Sequence, residues 1–168
     1  MKTTTLSSLV KFIIAYCNIH GFTITPLKLQ KILYYTQSWH IAKFDKHPLF
    51  SELPEAWVNG PVYRTIYDNY KSKFFKSEPL KLENIDTVGE EILETLKNDI
   101  DISDEQFTLV NSIVKFYSSM GEGKLVLLTH RDTPWNEARK GLGEFDRCEN
   151  KISIDSMYQF YNPLMKRS

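Results

Sequence analysis

The sequence contains only two cysteines, Cys17 and Cys148, among its 168 residues. They are too few for the disulfide framework of a small secreted domain or for a cysteine-rich metal site. We therefore interpret both as thiols of a reduced, cytoplasmic protein. No apolar run reaches the ~18 residues that a membrane-spanning helix requires. Lys11 interrupts the apolar stretch near the N-terminus, which argues against a secretion signal, so we expect no membrane partner.

Net charge is also absent, because 21 basic side chains balance 21 acidic ones. This neutrality argues against nucleic acid as a partner. The charges are unevenly distributed: residues 1–80 carry 10 basic and 5 acidic side chains, and residues 81–168 carry 11 basic and 16 acidic ones. Much of the acid falls within residues 83–105, the acidic segment. It is either a solvated helix face or a docking surface for a basic partner.

Catalytic, metal and cofactor motifs are missing as well. The four histidines lie in different predicted elements, without the spacing of a metal site. The triplet His130-Arg131-Asp132 resembles part of a kinase catalytic loop, but Asn136 lies one position too early and the other kinase motifs do not occur. We therefore predict a protein that is not an enzyme, with no catalytic residue, metal or cofactor. A small hydrolase around His130 is an alternative.

Periodicity and capping patterns predict a mainly α fold. Apolar residues that step by three and four predict a first helix, which ends at Gly21. Thr25 and Pro26 are typical of the start of a second helix. Ser103 and Gln106 form a capping-box pattern that predicts the start of a later one.

The sequence predicts one compact domain over residues 1–168, with about seven helices and at most a small β element near residues 49–59. The pair Gly60-Pro61 predicts a turn. Pro61 is then expected to start a helix, because proline donates no hydrogen bond to a strand ladder. Residues 72–86 lack periodicity and are expected to be the most mobile connection.

Three aromatic-rich motifs follow one another along the chain. They are Pro26 to Trp39, with Leu29, Lys31, Leu33, Tyr34 and Tyr35; Ala56-Trp57-Val58-Asn59-Gly60-Pro61-Val62; and Leu128-Thr129-His130 with Pro134-Trp135. In this order they resemble the Panacea domain, a family of SocA-like and phage-associated antitoxins. Asn59 departs from the pattern, since an aromatic residue often precedes the glycine in that family.

The resemblance implies that the chain binds and neutralises a cognate protein toxin encoded by a neighbouring gene. Some relatives resemble adaptors that pass a toxin to a protease, so simple blocking and delivery to a protease both stay open. The family brings no cofactor and no enzymatic activity. Trp39, Trp57, Gly60, Pro61 and Trp135 are expected to be structural, because large indoles organise a core and Gly60-Pro61 fixes a turn.

Partner contacts are expected on three surfaces: residues 72–86, the acidic segment, and a lysine–tyrosine face of the second helix. The candidate contact residues are Lys28, Lys31, Tyr35, Arg64, Glu90, Glu91, Glu94 and His130. The lysines of the second helix also support an alternative function, in which the protein binds DNA and regulates its own transcription.

Overall fold

The computed structural model of the protein describes residues 1–83 and 89–167. Within those residues it contains eight helices and one two-stranded sheet. The helices are α1 Leu6–Ile19, α2 Pro26–Lys43, α3 Arg64–Phe74, α4 Glu91–Ile100, α5 Asp104–Ser118, α6 Glu122–His130, α7 Thr133–Ala138 and α8 Ile154–Met165. The strands are β1 Glu55–Trp57 and β2 Gly60–Val62. The prediction of a mainly α fold with a small β element is confirmed.

Capping residues start the helices where the sequence predicts them. The Thr25 hydroxyl accepts a 3.2 Å hydrogen bond from the backbone N–H of Lys28 at the start of α2. Ser103 and Gln106 each accept a 3.2 Å hydrogen bond from the other's backbone N–H at the start of α5. Gly21 follows α1 with φ +72°, the left-handed conformation that a helix-ending glycine adopts.

Helix α2 lies at the centre of the fold, in contact with α1, α3, α5, α6, α8 and β2. Because neighbours surround it, its polar side chains are buried together with its apolar ones, and buried polar groups need hydrogen-bond partners. Gln30 bonds both the N–H and the carbonyl oxygen of Tyr63, at 2.8 and 3.2 Å. The Gln37 amide accepts a 2.8 Å hydrogen bond from the Leu49 N–H and donates a 2.7 Å one to the Phe50 carbonyl. These amides hold the irregular segment between α2 and α3 in place.

The small β element is a hairpin in which Ala56 lies opposite Pro61 in antiparallel register. Its strands occupy residues 55–57 and 60–62, at the C-terminal end of the predicted range and just beyond it. Pro61 therefore lies inside a strand, and the prediction that it starts a helix is wrong, since α3 begins at Arg64. Proline is tolerated because no third strand from the described part of the chain pairs with β2; instead the Lys31 ammonium donates a 3.1 Å hydrogen bond to the Pro61 carbonyl.

The other edge of the hairpin is covered by the segment that precedes α8. The backbone N–H of Ala56 donates to the Asn150 carbonyl at 2.9 Å, and that of Ile152 donates to Pro54 at 2.8 Å. Both edges of the hairpin are therefore occupied, one by the side chains of α2 and the other by this C-terminal segment.

The connection after α3 is anchored where the structure describes it. Leu80 is buried, and its N–H donates a 2.7 Å hydrogen bond to the Ile24 carbonyl. The Asn18 amide bonds the backbone of Leu80 and of Leu82, at 3.1 and 2.9 Å. Residues 84–86, the remainder of the segment that we expect to be mobile, lie outside the described residues, as does Asp86 of the acidic segment.

Candidate partner-binding groove

Two phenylalanine rings, Phe75 and Phe145, are 80% and 81% exposed. Side chains of this type are normally buried, and exposed ones that cluster mark interaction surfaces. Both line a groove of about 450 Å³, here called the aromatic groove. One wall is α3, the other is the loop of residues 143–148, and the floor includes Trp57 of the hairpin.

The Glu55 carboxylate holds the floor together from below. It is buried, and it accepts hydrogen bonds from the Trp57 indole at 2.7 Å, from Arg64 at 2.9 Å and from Lys151 at 3.2 Å. Burial alone would raise the pKa of Glu55, but these three donors hold it below its ordinary value. One carboxylate thus fixes the orientation of the floor indole and of a guanidinium on the α3 wall.

Aromatic contacts continue from the floor onto the α3 wall. The Arg64 guanidinium lies over the Trp57 ring, 4.9 Å from its centroid. Tyr67 meets Trp57 edge-on with 4.8 Å between centroids, and meets Phe74 at 5.0 Å. Phe75 lies 6.3 Å from Tyr67 at the outer rim. Rings packed in this way keep their orientation, so the groove presents a preformed apolar surface.

The buried Arg139 guanidinium fixes the second wall. It donates hydrogen bonds to the carbonyl oxygens of Ala56, Gly143, Glu144 and Asp146, at 2.8, 3.2, 3.3 and 2.8 Å respectively. Its planar donor group suits such a fan of acceptors. Arg139 therefore joins the loop that carries Phe145 to the hairpin that forms the floor.

The groove lining is more basic than acidic, with Arg64, Lys71 and Arg147 against Asp68. Glu149 lies beside the lining and pairs with Arg64 at 2.9 Å and with Arg147. Lys71 forms no ion pair with any residue that the structure describes. Its ammonium is therefore the lining cation that is open to a carboxylate from outside.

Behind the floor, the hairpin rests on α6 and α7. The Trp135 indole donates a 2.9 Å hydrogen bond to the Trp57 carbonyl. Gly60 has φ +97°, and a Cβ atom there would lie 2.5 Å from the Thr129 hydroxyl and 2.9 Å from the Lys31 ammonium. Only glycine fits this position, because both the conformation and the space exclude a side chain.

The remaining indole of the family motifs lies elsewhere. Trp39 is half-buried on α2 and donates a 2.9 Å hydrogen bond to the Tyr117 hydroxyl. Its ring meets Tyr161 edge-on with centroids 4.9 Å apart. Trp39 thus joins α2 to α5 and α8, away from the groove.

The prediction that a lysine–tyrosine face of α2 is exposed is wrong. Lys28, Lys31 and Tyr35 are 5%, 0% and 3% exposed. Lys28 donates a 2.7 Å hydrogen bond to the Ser118 carbonyl, and Tyr35 stacks on Tyr117 with centroids 4.1 Å apart. Burial lowers the pKa of Lys31 to about 7. These side chains join elements of the fold, because α2 is covered on this side too.

The other predicted contact residues lie at three separate places. Arg64 is part of the groove, whereas His130 is half-buried with its ring stacked on Trp135, 4.5 Å between centroids. Glu90, Glu91 and Glu94 are exposed at the start of α4, which packs on α1. No lining residue of the groove comes from α4, so the acidic surface is separate from it.

The residues expected to serve the two alternative functions, DNA binding and hydrolysis, are mostly buried or occupied by other contacts. DNA binding through α2 requires Lys28 and Lys31 on the surface, and both are buried. Near His130, the expected centre of the hydrolase, the Asp132 carboxylate is buried and bonded to the Tyr161 hydroxyl. Burial raises the pKa of Asp132 to about 6, opposed by that hydrogen bond. Among the described residues, no hydrogen bond joins His130 to Asp132.

Sequence reasoning missed most of the groove, including Tyr67, Phe75 and Phe145. One usable signal is the pair Phe74-Phe75 among lysines at the C-terminal end of α3. Adjacent helical residues point in different directions, so one face cannot bury both rings. Phe145 gives a weaker signal, as a lone aromatic in a polar loop. Nothing in the sequence indicates that these two segments meet.

The described residues contain neither a metal-ion cluster nor a membrane-spanning helix. No group of three or more histidine, cysteine, aspartate or glutamate side chains there is placed to hold a metal ion. No helix in the same part of the chain has the length and apolar character to cross a membrane.

A family model described as "Antitoxin SocA-like, Panacea domain" matches residues 29–136 of the 168. No curated protein and no solved structure matches the chain. The matched residues include the hairpin, α3 and Trp135, whereas Phe145 and Arg147 lie beyond them. The match therefore covers the floor and one wall of the aromatic groove.

Proposed function

The chain belongs to the family of SocA-like antitoxins that carry the Panacea domain, and on this premise we propose that it neutralises a protein toxin by binding it directly. The toxin gene is proposed to lie beside the gene for this chain, in a phage or bacterial genome, and the two products are proposed to meet in the cytoplasm. Such a role needs an interaction surface and no reacting groups.

The observation that supports this role is the exposure of Phe75 and Phe145 at the rim of one preformed groove. Aromatic and arginine side chains supply most of the free energy at protein interfaces, and the groove combines both types. A partner that covers the two rings removes them from water, which is worth about 1.5–3 kcal/mol for each fully buried ring.

In the proposed mechanism the toxin stays folded in a stable complex while its active surface is covered. Delivery of the toxin to a protease is the second form that neutralisation takes in the family, as the resemblance implies. The two differ in the fate of the toxin, which accumulates under blocking and disappears under delivery. Toxin levels in growing cells therefore separate them.

The test is co-expression with the adjacent gene in a permissive host. We expect that induction of the neighbour alone stops growth, that this chain restores it, and that the two products co-purify in stable stoichiometry. Immunoblots of the toxin during rescue distinguish blocking from proteolysis. A harmless neighbour, or a toxic one that this chain neither rescues nor binds, contradicts the proposal.

A further inference from the structure

The hairpin at the floor of the groove offers no free backbone edge to a partner. Backbone hydrogen bonds join the β1 side to the segment at Asn150 and Ile152. On the β2 side, the Pro61 carbonyl accepts a hydrogen bond from the Lys31 ammonium. Addition of a partner strand to this sheet is therefore blocked on both sides. Recognition in the groove has to occur through side chains.

The side chains on offer define two kinds of contact. Trp57 and Tyr67 form an aromatic surface, with Phe75 and Phe145 at its rim. This surface suits one large apolar side chain, because burial of such a chain against fixed rings costs little rearrangement of the groove. The volume of about 450 Å³ lies within the ~300–1,000 Å³ range of small binding sites.

Charge on the lining is complementary to a carboxylate. Three lining residues are basic and one, Asp68, is acidic. Glu55 and Glu149 both pair with Arg64, and Glu149 also pairs with Arg147, so Lys71 is the lining cation that is open among the described residues. A carboxylate that meets Lys71 beside the aromatic surface forms an ion pair shielded from water on one side, which strengthens it.

From these contacts, and resting on the function proposed above, we propose that the aromatic groove binds an acidic segment of the toxin. A large apolar side chain of that segment lies between Phe75 and Phe145, and a neighbouring carboxylate pairs with Lys71. Lys71 sets the sign of the partner's charge, and the rings supply most of the affinity.

Aromatic rings beside cations also bind single-stranded nucleic acid. The acidic residues around this groove favour a peptide instead. Asp68 lies in the lining itself, Glu144 and Asp146 belong to the loop of residues 143–148, and Glu149 directly follows that loop. A phosphate backbone that tracks through the groove meets these negative charges repeatedly. A peptide with one or two carboxylates does not.

The first test measures binding by fluorescence anisotropy with three labelled probes. They are a short, otherwise neutral peptide with a central phenylalanine–leucine pair flanked by one glutamate on each side, the same peptide with lysine in place of both glutamates, and a thymidine oligonucleotide. We expect the purified chain to bind the acidic peptide and neither of the others. Absence of acidic-peptide binding, equal binding of the lysine peptide, or tighter binding of the oligonucleotide overturns the inference.

Groove variants locate the binding. The double variant Phe75→Ala with Phe145→Ala, and the reversal Lys71→Glu, are each expected to weaken the acidic peptide by at least about tenfold. The matched controls are Phe116→Ala and Lys115→Glu on α5, where the ring is 59% exposed and outside the groove lining. All five substitutions lie on the surface, and circular dichroism checks that each variant is folded. An equal loss in the controls counts against the groove.

Growth rescue with the same variants separates the two proposals. If the native chain rescues growth and the groove variants rescue equally well, the inference fails and the antitoxin function stands. If the native chain does not rescue but the groove still selects the acidic peptide, the antitoxin function fails and the specificity of the groove stands. Loss of rescue in the groove variants alone supports both.

Discussion

The indole N–H of Trp135 donates a 2.9 Å hydrogen bond to the carbonyl oxygen of Trp57, across 78 positions of sequence. The bond joins two of the three aromatic motifs and places α7 behind the hairpin. The Trp57 ring faces the groove on the other side, where its indole N–H donates a hydrogen bond to the Glu55 carboxylate. The position of the groove floor thus depends on a contact made behind it.

Replacement of Trp135 by phenylalanine is expected to lower the free energy of unfolding by about 2 kcal/mol, because it leaves the Trp57 carbonyl without its donor and opens a small void. Urea denaturation followed by circular dichroism measures the change. The control is Tyr158→Phe, which removes a surface hydroxyl bonded to Asp45 and is expected to cost less than about 0.5 kcal/mol. Equal effects would contradict a structural role of the indole bond.

The variant Gly60→Ala is expected to cost about 3 kcal/mol or more, because its Cβ atom would overlap the Thr129 hydroxyl and the Lys31 ammonium as well as strain the backbone. Gly21→Ala is the matched control. Gly21 also has a positive φ but open space around it, so only the conformational cost of about 1 kcal/mol remains. Thermal denaturation compares the two, and similar losses would mean that the close approach is unimportant.

Lys31 predicts a pH dependence of stability. The unfolded chain keeps the Lys31 proton up to about pH 10.5, whereas burial lowers the folded-state pKa to about 7. Between these values the unfolded state binds more protons, so stability rises with pH, by at most about 1.4 kcal/mol per pH unit. Urea denaturation from pH 6 to pH 10 should show this rise in the native chain, and Lys31→Met should reduce it.

The control for that series is Lys115→Met, since Lys115 is exposed and should leave the slope of the native chain unchanged. Other groups titrate equally in all three proteins, so the comparison isolates Lys31. Parallel curves for the native chain and Lys31→Met would show that the ammonium is hydrated in the folded state.

Arg139→Lys is expected to loosen the loop that carries Phe145, because an ammonium cannot reach the four carbonyl oxygens that the guanidinium bonds. We expect faster hydrogen exchange at residues 143–148 and a loss of about 2 kcal/mol in stability. Arg131→Lys, at an exposed position, is the control and should change neither quantity. Unchanged exchange in the loop would show that Arg139 does not hold it.

Local signals predicted the helices well because capping and periodicity act within a few residues. Thr25, Ser103 and Gly21 start or end helices where the sequence predicts it. The hairpin was only half predicted. Proline argues against a strand in general, and the lysine that donates a hydrogen bond to the Pro61 carbonyl lies 30 positions away.

The burial of the α2 lysines and the position of the groove could not be predicted, because both depend on contacts between residues far apart in the sequence. Lysines at Lys28 and Lys31 suggest an exposed face when α2 is considered alone, but their acceptors are carbonyl oxygens on the hairpin and at the end of α5. The walls of the groove come from α3 and from a loop after α7, and no periodicity relates them. That residues 1–168 form one domain stays a prediction.

The separation of the two walls has a consequence for when the protein becomes active in its proposed role. A protein is synthesised from its N-terminus, so the hairpin and α3 leave the ribosome well before Arg139, Phe145 and Arg147. The nascent protein therefore lacks the second wall until residues 139–147 have been synthesised and have left the ribosome. A toxin made at the same moment meets a competent antitoxin only after this delay, and a chain that stops before Arg139 carries every aromatic motif of the family yet has no groove.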